Sequence, residues 1–214
     1  MDEEIVIIDA NRRNEKIKNF FINNKKNLII GISIFLIIIV SYFSLEKVKE
    51  RAKAKLASKF NITILNFKIE EKQKTIDTLT NLINKNDTTY SPLALYFLID
   101  NNLLDNKNEI NRLFNELINE TTLDEEIKNL IIYKKALFNS GFASENDLLE
   151  ILNPIINSES IWKSHALYLI AEYFYSMNQN QKAKEFFNQI LLLPNANKGI
   201  KLESQKRINR DLGE

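Results

Sequence analysis

One histidine, His165, carries all the imidazole chemistry this 214-residue chain has. A metal centre built on several histidines is therefore impossible, and a nucleophilic triad would have to join His165 to a serine lying in plain helical sequence. With no cysteine, thiolate catalysis, cysteine-held metals and disulfides are excluded too. The carboxylate clusters are Asp2-Glu3-Glu4, Glu70-Glu71 and Asp124-Glu125-Glu126. They read as a solvated tail, an exposed helix face and a helix start favoured by the backbone dipole. No glycine-rich phosphate loop exists. The sequence predicts no enzyme, no cofactor and no metal site.

His165 instead joins Tyr168, Glu172 and Tyr175 in a stripe spaced by three and four residues, one face of a helix. Tyrosine supplies contact area at low entropy cost, while His and Glu offer hydrogen bonds. The stripe lies opposite the predicted packing seam and is the candidate partner-binding groove. The plainer reading is a solvated face whose aromatics cover the neighbouring helices.

The elements that position this stripe are helical by pattern. Gly (4) and Pro (3) are scarce, which favours helices joined by short turns over β-rich folds. Helices are predicted from Glu46 to Glu70, Glu71 to Asn84, Ser91-Pro92 through Leu98, and Asn106 to Asn119. Thr122-Leu123-Asp124-Glu125 resembles a capping box for a helix to Phe138, ended by Asn139-Ser140-Gly141. Ser144 to Asn157 follows, with Pro154 expected to kink or end it. Ser160 to Met177, Asn180 to Leu193 and Lys198 to Leu212 complete the set. Starts near Ser91, Asp124 and Ser160 are 33 and 36 residues apart, the period of stacked helical hairpins.

Ahead of these lies Leu28 to Leu45, LIIGISIFLIIIVSYFSL, 18 residues without a charge. As a helix it covers about 27 Å, close to the hydrocarbon thickness of a bilayer. Lys25 and Lys26 flank one end and Glu46, Lys47 and Lys49 the other. The 27-residue lead-in is too long for a signal peptide and no Ala-x-Ala site follows, so the run reads as an uncleaved anchor. The domains are therefore residues 1–27, a tail; 28–45, a transmembrane helix; and 46–214, a helical domain. Ile17, Phe20, Phe21 and Ile22 make the end of the tail an amphipathic stretch that reads equally as an interfacial helix or a plain basic flank. Six basic residues on each side of the run give no orientation by charge. Long domains translocate regardless of charge, which favours a cytoplasmic tail. A net charge of +1, without a concentrated basic face outside the membrane flanks, argues against nucleic acid.

Ser160 to Asn195, SIWKSHALYLIAEYFYSMNQNQKAKEFFNQILLLPN, resembles a tetratricopeptide repeat. Leu167, Ile170, Ala171 and Phe174 sit on its first helix, Ala183, Phe187 and Ile190 on its second, and Pro194 at its end, one position early. The fold class expected is all-α: one N-terminal transmembrane helix, then a tetratricopeptide-like α-solenoid with a C-terminal capping helix. The tail motif Ile8-Asp9-Ala10-Asn11-Arg12-Arg13-Asn14-Glu15-Lys16-Ile17, Phe20, Lys25-Lys26, one span and a degenerate repeat array together resemble the YfgM-like family. The closing residues Pro194, Gly199 to Gln205 and Leu212-Gly213 resemble that family's capping helix. After Asp9 the tail carries Glu15 alone among acidic residues, and Asn mostly stands at helix turns where the family carries Gly. The resemblance implies an ancillary subunit of the bacterial SecYEG translocon, single-pass in the inner membrane with a periplasmic domain. Its implied partners are the translocon, exported chains and periplasmic chaperones. The competing expectation is a structural scaffold of another envelope complex without client binding.

Overall fold

The computed structural model describes residues 15, 18–20 and 22–213, and among these every regular element is helical. Of the tail, residues 1–14, Lys16, Ile17 and Phe21 lie outside the described residues, while Phe20 and Ile22 are exposed. The chain divides into two compact units, residues 1–55 and 56–214.

The first unit holds most of α1 (Lys25–Leu65). This helix is long and apolar enough to cross a membrane, and its apolar window buries nothing against protein. Ile34, Phe35, Leu36, Ile37, Ile38 and Val40 are all more than half exposed. A naked face of this size is unstable in water and comfortable in lipid.

In the second unit the end of α1 brings Phe60 into the core. A short 3₁₀ turn (Ile69–Glu71) leads into α2 (Lys72–Ile83), α3 (Tyr90–Asp100), α4 (Lys107–Glu120), α5 (Glu125–Asn139), α6 (Glu145–Ile156), α7 (Lys163–Ser176), α8 (Asn180–Leu192) and α9 (Lys198–Asp211). From α2 onward each helix packs on the next, and α5 also meets α7 as α7 meets α9. The buried positions recur. Ile132, Ala136, Leu148, Leu152 and Ile155 of α5 and α6 stand 35 residues ahead of Leu167, Ala171, Ala183, Phe187 and Ile190 of α7 and α8, and all ten are buried. Ala171 and Ala183 let their helices approach closely, and Phe174 and Phe187 fill the space beside them.

Two apolar cores result. One gathers Phe60, Leu79, Leu95, Leu113 and Ile131; the other gathers Ile132, Leu152, Leu167, Phe174 and Phe187. Ile118 packs against both.

Helix ends are closed by short polar side chains. Asn106 accepts from the Asn108 and Glu109 N–H groups, Asn197 from those of Gly199 and Ile200, and Ser144 forms a reciprocal capping box with Asp147. The expected cap at Thr122 is instead at Asp124, which accepts from the Glu126 N–H. α3 begins at Tyr90, so Pro92 is its third residue, still in the turn where an N–H has no helical partner. α6 runs through Pro154 to Ile156, because a proline this close to the end costs only one internal hydrogen bond.

Asn102 and Asn178 take positive φ (50° and 59°) just after α3 and α7. At each site the pair of bonds of a Schellman end is complete. Leu103 N–H donates to the Leu98 carbonyl and Asn102 N–H to Ile99; Gln179 N–H donates to Phe174 and Asn178 N–H to Tyr175. Asparagine tolerates this left-handed conformation better than other L-residues, which is how it serves in the place of glycine.

Candidate interaction surface

α7 carries the four predicted residues, and the structure divides them. All four are partly buried. His165 turns toward α5: its ring centroid lies 5.1 Å from that of Trp162 and 6.0 Å from that of Tyr133, while Tyr133 and Trp162 stack at 5.9 Å. Burial holds the His165 imidazole below its ordinary pKa and pushes the Tyr133 phenol up. Tyr168, Glu172 and Tyr175 turn toward α9 and meet at Arg207. The Arg207 Nε and a terminal nitrogen lie 2.7 and 2.8 Å from the two Glu172 oxygens. The guanidinium carbon sits 5.2 Å from the Tyr175 ring centroid, and the other terminal nitrogen donates to Asp211 at 2.9 Å. The Tyr168 ring packs edge-on to Phe187 at 5.5 Å, and its burial raises the phenol pKa.

Thus the face expected to lie open is a second seam. A helix with neighbours both before and after it in sequence has little unoccupied circumference, and these two contacts take up much of the stripe while each of the four side chains keeps part of its surface open. Sequence reading missed Arg207, Tyr133 and Trp162. A basic residue in the strongly polar helix α9 carries no periodic signal of its own; the available clue was its offset of 35 residues from Glu172.

That offset is general. Glu126 accepts from Ser160 Oγ and the Ile161 N–H, Glu145 from Lys182 and Gln179, and Ser164 Oγ from the Asn197 N–H. With Arg207–Glu172, these bonds join residues 33 to 37 apart in sequence, so polar links repeat with the same register as the apolar core.

A second surface lies between α4 and α6, with α5 as its floor. This groove, of about 440 Å³, is lined by Asn111, Asn115 and Asn119 of α4, Lys135 and Asn139 of α5, and Glu150, Ile151 and Pro154 of α6. Asn111 and Asn139 exchange amide hydrogen bonds of 2.9 and 2.8 Å, and Lys135 Nζ donates to Asn115 Oδ1 at 2.8 Å. Partial burial lowers the Lys135 pKa. No group of three or more His, Asp or Glu side chains able to hold a metal occurs among the described residues.

No protein-family model, curated protein or solved structure matches this chain.

Proposed function

We propose that this chain is a membrane-anchored adaptor that binds polypeptides on a tetratricopeptide-like stack of helical hairpins and performs no catalysis. The observation that carries the reading is the register: buried positions 35 residues apart and polar links spanning 33 to 37 residues, the spacing a solenoid of hairpins requires. Such stacks bind extended or helical segments of other chains. The lipid-compatible half of α1 supplies the anchor. The resemblance of layout to the YfgM-like family supports a bacterial inner-membrane site, a cytoplasmic tail and a periplasmic domain, with the Sec translocon, exported chains and periplasmic chaperones as partners. His165, with Tyr133 and Trp162, offers the aromatic contact of the α7 face. Tyr168, Glu172 and Tyr175 act on capture through their seating of α9.

The test joins a topology reporter at Glu214 to co-purification in mild detergent. A reporter active outside the cytoplasm, with translocon subunits and exported chains recovered, supports the reading. A cytoplasmic reporter overturns the orientation. One fixed assembly partner without exported chains favours a structural scaffold.

A further inference from the structure

The groove between α4 and α6 departs from its counterpart one hairpin later. Shifting by 35 residues maps Lys135, Asn139 and Ile151 onto Ile170, Phe174 and Phe186. At the later position Ile170 and Phe174 are buried, Phe186 stacks on Phe174 at 5.4 Å, and Lys182 sits above the same ring. At the earlier position an ammonium and a 5% exposed carboxamide stand where those apolar groups pack, and the space stays open. The Asn139 amide is hydrogen-bonded, yet the exchange gives up the apolar packing of its counterpart and leaves the space open, so a polar floor here calls for a use.

We infer that this groove binds the main chain of an extended polypeptide segment, a site that rests on the polypeptide-binding reading above and locates it on a named face. Three observations carry it. First, Asn111, Asn115 and Asn119 recur every four residues along α4, a rise of about 6 Å per step. Alternate residues of an extended chain advance by about 6.6 Å, so successive carboxamides fall opposite successive same-side peptide groups. Asn115 and Asn119 each offer both a donor and an acceptor, the complement of a peptide unit, and Asn111 keeps one N–H beyond its bonds with Asn139. Second, Asn115 and Asn119 are exposed, Asn119 has no hydrogen-bond partner, and Asn115 is oriented by Lys135. The floor pair Asn111–Asn139 is fixed by its reciprocal bonds and by an Asn139 bond to the Lys135 carbonyl at 2.7 Å. Third, Pro154 has no N–H for the Glu150 carbonyl of the preceding turn, so the opposite wall holds an acceptor without its usual helical donor. Ile118, Ile132 and Ile151 add apolar lining for the side chains of the bound segment.

The chain contains no cysteine, so single-cysteine variants give clean attachment points for a benzophenone crosslinker. The full chain in nanodiscs is labelled at Glu150→Cys on the α6 wall of the groove, or at Ile161→Cys beside Trp162, and exposed to a fluorescent uncharged decapeptide with leucine at every second position. Three results together support the inference: adducts at position 150, at least tenfold weaker binding on N-methylation of alternate peptide bonds, and a like loss in the Asn115→Leu/Asn119→Leu variant. Those two side chains are exposed, and an unchanged helical circular dichroism spectrum confirms that the variant folds. Adducts only at position 161, or binding indifferent to N-methylation, overturn the groove while leaving polypeptide binding intact. Adducts at neither position overturn both.

Discussion

Arg207 and Glu172, 35 residues apart on α9 and α7, form a two-pronged ion pair with nitrogen–oxygen distances of 2.7 and 2.8 Å. α9 has only Ser204 fully buried along its length, with Leu212 just beyond its end. Ile200, Ile208 and Leu212 pack on the second core, and this charged contact adds a polar attachment beside them.

Arg207→Met is expected to destabilise the seating of α9 by about 2 kcal/mol, the scale of hydrogen bonds to a charged group. The two side chains are 25% and 27% exposed, which keeps the loss below that of a fully buried pair. Hydrogen exchange measures it: amides of residues 198–211 should exchange faster while those of α7 and α8 hold their protection. Unchanged exchange in α9 would show that apolar contacts alone retain it.

Acidification should loosen the same helix end. Hydrogen bonds from Arg210 and Arg207 hold the Asp211 carboxyl well below the usual carboxylate range. A carboxyl whose folded pKa is depressed stabilises the fold above its unfolded value of about 3.9 and loses that contribution as pH falls through the folded value. Thermal midpoints should be insensitive to Asp211→Asn below the folded pKa and lower in the variant at neutral pH. A variant whose midpoint tracks the wild type at every pH would remove Asp211 from the account.

The left-handed asparagines allow a sign test. Asn178→Ala should cost about 1 kcal/mol, because alanine has no means of offsetting the steric penalty at positive φ. Asn178→Gly should be neutral or mildly stabilising. Urea unfolding of the two variants decides it, and equal midpoints would mean the turn relaxes away from φ 59°.

Ile37 lies near the middle of the uncharged run and is 64% exposed. Placing an arginine there should raise the cost of insertion by about 3 kcal/mol. Carbonate extraction of Ile37→Arg should release a large share of the chain, whereas Ile37→Leu should stay in the pellet.

Much of this architecture is legible in the residues, because local signals dictate it. The Leu28 to Leu45 run, the Ser144 start and the Ala171/Ala183 seam follow from apolar period and capping chemistry within a few turns. What escaped was non-local. Nothing in the sequence of α9 separates Arg207 from a solvated surface arginine, since its partner Glu172 lies two helices earlier. The spacing of His165, Tyr168, Glu172 and Tyr175 groups them in one stripe, yet it says nothing about the neighbours that divide it, α5 on the His165 side and α9 on the other. Pro154 has its meaning only beside Asn115 and Lys135, residues from two other helices.

Ile131 and Ile132, consecutive on α5, face different cores, the first toward Leu113 and Leu117, the second toward Leu152 and Leu167. That single peptide step makes α5 a party wall. Fraying that begins at α9 or at α2 can proceed inward only as far as this helix before the other half must give way as well. The two halves are therefore expected to melt together, and a truncation that removes α5 to leave an uncovered apolar face on each.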